Sequence, residues 1–148
     1  MVTISNKVVL VTGANRGIGA ATVKEMLKAG AAKVYATARD PKALPSFDDA
    51  RVVPLALDIT SDTSVAAAAA AAPDVDILVN NAGTLAFGNY ADSDWSTIED
   101  DMRTNYFGTL RVLRAFTPQF VARRSGTIAN VSSVVGLSAI PLMAGYSA

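Results

Sequence analysis

Two places in the chain bring together residue types that can do chemistry. One is the loop "VTGANRGIG", where Gly13, Gly17 and Gly19 fall at the spacing G-x-x-x-G-x-G. The other is "LMAGYSA", where Tyr146 follows the polar stretch "NVSSVVG". Glycines between a strand and a helix allow a tight turn and let a pyrophosphate approach bare backbone, while the helix start offers unpaired N–H groups to an anion. A tyrosine hydroxyl works as an acid or base near neutral pH once a neighbouring cation favours its phenolate, since a phenol ordinarily titrates at about 10. The sequence contains no histidine and no cysteine. A histidine-based triad, a His-ligated zinc site, a thiolate metal site and any disulfide are thereby excluded.

The glycine spacing is not the common G-x-G-x-x-G fingerprint, and no Gly-Lys-Ser/Thr follows to make a Walker A loop. The alternative to a phosphate cradle is a tight turn that holds no ligand. Its place at the first strand-to-helix junction favours the cradle.

The elements that must position these residues alternate along the chain. "KVVLVTG" (residues 7–13) is a continuous β-branched run, as expected of a strand buried on both faces. Val23, Met26 and Leu27 then fall on one helical stripe that Gly30 can stop. "KVYATA" (33–38) and "RVVPLALD" (51–58) read as the second and third strands, with Pro54 suited to an edge. "SDTSVAAAAAAA" reads as a surface helix without functional role, capped by Ser61 or Asp62. "VDILVNNAG" (75–83) is a fourth strand running into a polar turn, and "GTIANVSS" (126–133) a fifth. Between them a long helix spans about 96–121. Met102, Tyr106, Leu113, Phe116 and Phe120 form one stripe, which could face the sheet or a partner, with Arg103, Arg111 and Arg114 on the other side. Strands separated by helix-length crossovers imply one doubly wound α/β domain over residues 1–148, its parallel sheet covered on both faces.

At 148 residues, 51% apolar and 18% charged with a formal net charge of zero, the composition is that of an ordinary globular domain. No basic excess exists to neutralise a nucleic acid. The start "MVTISNKVVLVTG" lacks the regions of a signal peptide, and no apolar run reaches membrane-spanning length. The expectation is a soluble, cytoplasmic protein with neither a nucleic-acid nor a membrane partner.

Four motifs in order, "TGANRGIG" (12–19), "NNAG" (80–83), "TNYFG" around Asn105, and "NVSSVVG" leading to "GYSA", resemble the short-chain dehydrogenase/reductase family of nicotinamide-dependent oxidoreductases. The resemblance implies a Rossmann-type sheet in the order 3-2-1-4-5, with hydride transfer between a nicotinamide cofactor and an alcohol/carbonyl substrate. It implies cofactor contacts from Gly13, Asn15, Arg16, Gly17, Ile18 and Gly19. Asp58 would bond the adenine amino group and Asn81 the adenine-side ribose, with Ala82 and Gly83 keeping the wall small; turn chemistry at the sheet end is a second role for Asn80 and Asn81. Tyr146 would be the general acid/base and contact the cofactor, and Ser133 would hold the substrate oxygen, with Ser132 the second choice. Asn105 would support a water-mediated relay.

The cofactor preference comes from the residues. NAD-preferring sites place an acid at the end of the second strand. Here that position is Ala38, followed by Arg39, whose guanidinium can pair with a 2′-phosphate. Arg16 adds a second cation, so NADP(H) is expected over NAD(H). Asp40 reads as the cap of the next turn before Pro41.

The family's lysine, one helical turn beyond the tyrosine, would fall just past residue 148. The expectation is therefore a longer native chain, of which these residues are the N-terminal part, inactive alone and assembling as a homodimer or homotetramer when complete. Two other readings stay open: a cofactor-binding or regulatory module without turnover, and a self-associating interaction domain.

Overall fold

The computed structural model of the chain describes residues 3–88, 91, 93–138, 140–143 and 145–147. Five parallel strands, β1 (Val8–Val11), β2 (Lys33–Ala38), β3 (Val52–Ala56), β4 (Ile77–Asn80) and β5 (Thr127–Asn130), pair in the order β3-β2-β1-β4-β5. The order reverses between β1 and β4, which leaves their C-terminal ends facing a crevice.

Alternation along the central strands divides the core into two layers. Val9 and Val11 of β1, Val34 and Ala36 of β2, and Ile77 and Val79 of β4 pack on helix α1 (Gly17–Lys28) through Val23 and Leu27. Leu10, Tyr35 and Leu78 face the opposite way. They meet α2 (Asp62–Ala71) and α4 (Thr109–Arg123) through Val65, Ala68, Val112, Phe116 and Phe120. Burial on both faces is why these strands read as unbroken apolar runs. Pro54 lies on β3, an edge strand paired only with β2, as its missing N–H requires. At the other edge most of β5 is exposed.

Ser61, not Asp62, caps α2, its side chain accepting from the Ser64 N–H. The alanine-rich helix is more than a surface element, since Val65, Ala68 and the adjacent Ala72 belong to the core. Asp40 caps the turn at Pro41–Ala43 by accepting from the Lys42 N–H. Gly30 follows α1 at φ +85°, a conformation that suits glycine.

The long helix departs from its expected form. It begins as α3 (Trp95–Asp101), passes through a π-helical segment (Met102–Gly108) and resumes as α4. The expected single stripe divides at the π segment, with Phe116 and Phe120 buried and Tyr106 turned out. Tyr106 is 53% exposed beside Phe107, and Gly108 is buried in its place, so close to Ile59 that a Cβ would lie 2.8 Å from its side chain. Arg111, expected on the outer side, is half-buried and donates to Asp62 at 2.8 Å.

Arg51, just before β3, ties this strand to the end of α1. Its guanidinium donates to the Leu27 and Ala31 carbonyls, at and just past the end of the helix, at 3.2 and 3.1 Å, and pairs with Asp49 at 2.6 Å. The Arg51 side chain and N–H hold the Asp49 carboxyl down at about 2. A depressed folded pKa gives stability that is complete above the unfolded value near 4 and lost as pH falls through the folded one. Asp49→Asn should therefore be less stable than the parent at neutral pH, with the gap closing between about pH 4 and pH 2. Denaturant midpoints across that range test this; a gap independent of pH would refute it.

Candidate functional site

The crevice at the β1/β4 reversal is built from backbone that no larger side chain could occupy. Gly13, just beyond β1, has φ +65°, and a Cβ there would lie 2.9 Å from the Ala82 Cα. A Cβ on Gly19 would meet the Gly13 carbonyl oxygen at 2.1 Å and the Asn81 amide nitrogen at 2.5 Å. The two glycines thus let the first turn of α1 close over the strand ends. Arg16 is the residue before α1 and makes no side-chain cap, and the first turn carries no acidic residue. The helix start therefore presents N–H groups and a positive dipole end to an incoming anion.

Thr12 fastens the two sides of the crevice. Its Oγ1 is buried and accepts the N–H groups of both Asn81 and Ala82 at 2.9 Å. The Asn81 amide donates back to the Thr12 and Gly13 carbonyls at 2.9 and 3.2 Å. Asn81 thus performs the turn chemistry foreseen for it and lines the cleft as well. The Asn80 amide donates to Asn130 Oδ1 at 2.8 Å, joining the ends of β4 and β5.

A cleft of about 500 Å³ runs from this junction to the end of β2. It is lined by all the sequence-predicted cofactor residues, Gly13, Asn15, Arg16, Gly17, Ile18, Gly19, Arg39, Asp58, Asn81, Ala82 and Gly83, except Tyr146. Asp58 lies two residues beyond β3, not at its end. The hydroxyl and N–H of Thr60 donate to its carboxylate at 2.7 and 2.9 Å; with the nearby Arg39 charge they lower its pKa.

A second cleft, of about 690 Å³, opens on the other side of the same wall and shares Arg16, Ile18, Asn81, Ala82, Gly83 and Thr84 with the first. It is lined by Asn105, Ser132, Ser133 and Tyr146, so every predicted catalytic residue reaches one cavity. Ser133 Oγ accepts the Val135 N–H at 3.3 Å, leaving its own proton free to donate, whereas Ser132 is exposed. Asn105 lies in the π segment and grips Thr84 twice. Its Oδ1 accepts the Thr84 N–H at 2.8 Å and its amide donates to the Thr84 carbonyl at 2.9 Å.

Three positioning residues escaped the sequence reading. Thr12 and Thr60 were hidden as ordinary strand-end and loop residues. Asp101 is 2% exposed and accepts from Thr84 Oγ1 at 2.8 Å and the Ala86 N–H at 3.2 Å. Its only sequence signal is its place four residues before Asn105, on the same helical face. Among the described residues no group of acidic side chains could hold a metal ion, and no helix is long and apolar enough to cross a membrane.

A parallel sheet with a glycine-lined crevice at its strand-order reversal defines a Rossmann-type α/β domain. Residues 7–148 match the family described as short chain dehydrogenase, and the chain belongs to it. It is 38% identical to the oxidoreductase calM of Penicillium decumbens, covering 93% of this chain and 49% of that protein. A short chain dehydrogenase from Burkholderia cenocepacia J2315 in complex with NADP superposes with a TM-score of 0.94 at 40% identity, over 99% of this chain and 61% of that one. A Burkholderia phymatum relative in complex with NAD gives 0.90 at 29% identity, over 99% and 56%. The chain spans about half the length of the curated relatives it matches.

The buried Thr12 hydroxyl yields a direct test. Thr12→Val keeps the shape but leaves two N–H groups without their acceptor, at a cost of about 2 kcal/mol, while Thr12→Ser keeps most of that stability. Urea unfolding decides it: a Thr12→Val variant as stable as the parent would show that the clamp contributes nothing.

Proposed function

We propose that the whole protein is an oxidoreductase that transfers a hydride between NADP(H) and an alcohol/carbonyl substrate. One observation carries this reading: the cleft at the glycine loop and the cleft at Ser133 and Tyr146 share a wall, so a ligand seated in the first extends into the second. The residues fit a dinucleotide. Gly13 and Gly19 leave bare backbone where a pyrophosphate must come close, and the uncapped start of α1 would receive its charge. Asp58 and Asn81 would hold the adenosine end, as the family resemblance implies. Arg39 and Arg16 line the same cleft beside Ala38, and their charges suit a 2′-phosphate. The relatives include one seen with NADP and one with NAD, so the preference rests on these two arginines.

The bound nicotinamide would supply the hydride. This chain's residues would manage the oxygen. The Ser133 proton, freed by the Val135 cap, would hydrogen-bond the carbonyl oxygen and polarise it. Tyr146 would donate the proton in reduction and accept it in oxidation. Asn105, in the same cleft, would support the water-mediated relay. Exposed Leu85 at the second cleft fits a substrate with apolar surface. The same reading includes cytoplasmic residence and a homodimer or homotetramer, for which the outward Tyr106, Phe107, Leu110 and Val121 offer apolar area.

Tyr146→Phe in the complete protein should abolish NADPH-dependent carbonyl reduction while NADPH affinity stays within about threefold. Retained turnover would remove Tyr146 from its role, and cofactor binding without any turnover in the parent would favour a non-catalytic module. Arg39→Ala should weaken NADPH about ten- to hundredfold, the cost of a charged hydrogen bond, and barely change NADH. Equal losses for both cofactors would reverse the preference.

A further inference from the structure

The reacting side chains stand on segments that contribute little to the core. Leu85 and Phe87 are exposed after β4, as are Val134, Leu137, Ile140 and Leu142 along the stretch leading to Tyr146. Something other than apolar packing must set where Tyr146 sits. Buried Asp101 is placed to do so.

Asp101 is the last residue of α3, immediately before the π segment that carries Asn105. Its two carboxyl oxygens take separate partners on the post-β4 loop, Oδ1 the Thr84 hydroxyl and Oδ2 the Ala86 N–H. Asn105 holds both backbone groups of the same Thr84. Asp101 and Asn105 together therefore fix the loop through four hydrogen bonds.

That loop in turn holds the tyrosine segment. The Gly88 N–H donates to the Leu142 carbonyl at 2.8 Å, and Gly88 forms a short parallel bridge with Met143. Leu142 sits at φ +68°, a region that a bulky side chain rarely adopts, so this contact fixes a backbone that would otherwise relax. Ser147 closes the turn, its N–H and hydroxyl both donating to the Met143 carbonyl at 2.9 and 2.7 Å. Gly145, next to Tyr146, lies directly against Asp101. A Cβ added there would meet Asp101 Oδ2 at 3.3 Å and the Ile98 Cα at 3.2 Å.

We propose that Asp101 is a positioning residue for the reaction, locking the post-β4 loop to the helix on one side and backing the Gly145–Tyr146 backbone on the other. The inference rests on the oxidoreductase reading above. Asp101 touches neither cofactor nor substrate; its effect reaches the chemistry only through the placement of Tyr146.

The test uses the complete protein and three variants, with NADPH affinity read by fluorescence titration, turnover by NADPH oxidation, and local order by hydrogen exchange. Asp101→Leu keeps a similar shape but removes both acceptors, leaving the Thr84 hydroxyl and the Ala86 N–H without their partner. In Thr84→Val the hydroxyl is lost, and in Thr84→Ser it is kept. Asp101→Leu and Thr84→Val should lower kcat about ten- to hundredfold, the scale of an ångström misplacement, with NADPH affinity within about threefold. Thr84→Ser should recover most of that loss. In Asp101→Leu, exchange should quicken at residues 84–88 and 142–147 together and stay unchanged at 8–19.

Unchanged kcat in both damaging variants, or exchange that quickens in the 84–88 loop alone, would overturn the inference. So would a parallel fall of kcat and NADPH affinity, the mark of a merely structural role. If Asp101→Leu does not fold, the Thr84→Val and Thr84→Ser pair decides by itself. A complete parent protein without carbonyl turnover overturns the oxidoreductase reading and this inference with it; a working parent whose variants keep their kcat overturns this inference alone.

Discussion

The clamp between the ends of β1 and β4 is the constraint on which the rest depends. Adjacent parallel strands whose crossovers leave on opposite faces must part at their C-terminal ends, and the opening would expose unpaired backbone. Here one buried hydroxyl, on Thr12, accepts two N–H groups of the opposite turn, and the Asn81 amide returns two bonds to the first strand's end. The backbone groups joined by this clamp are thus paired within the protein, while the start of α1 stays open to a ligand. On the proposed function this is preorganisation, since a dinucleotide arriving here would not also have to order the loop.

The clamp also explains why the neighbouring positions are glycine and alanine. With Asn81 drawn onto the Gly13 carbonyl, Ala82 lies against Gly13 and the first turn of α1 lies against both. A side chain at Gly19 would have to displace either a carbonyl or the amide that binds it. The motif residues "TGANRGIG" and "NNAG" are two halves of one contact surface, brought together by sheet order.

Much of this was legible in the sequence. β2 was read to the residue, and the strand order and the edge position of Pro54 followed from pattern and resemblance. The other four strands of the reading ran one or two residues long at the start and two or three at the end. "TG" and "NAG" continue the run of small and β-branched residues after the backbone has left the ladder. The long helix was misread for a different reason. A stripe at 3.6 residues per turn assumes unbroken i→i+4 bonding, and the seven-residue π segment widens the turn. Tyr106 is thereby carried outward, while Gly108 turns inward against Ile59. No local propensity in "MRTNYFG" announces this, because the cause is tertiary. Asn105 bonds Thr84 and Gly108 meets the β3–α2 loop. Asp101 was invisible for the same reason, since a helical aspartate next to other acids reads as a solvated face until the chain folds a loop over it.

The two halves of the site therefore differ in kind. The cofactor side is made of strand ends and the start of α1, anchored in a core where Val9, Leu10, Val11 and Leu78 are fully or almost fully buried. The reacting side is made of loops with exposed apolar residues, held by a few hydrogen bonds around one buried carboxyl group. Local opening follows contact density, so the second half can move while the first stays closed. Under the proposed function, this division would suit a reaction in which the cofactor is held rigidly while substrate enters and leaves. The loops beyond β4 and β5 are also where a changed residue costs the fold least, because their large apolar side chains are exposed. On the proposed reading, the residues that hold those loops, rather than those that line them, would decide whether a changed loop still presents Tyr146 correctly.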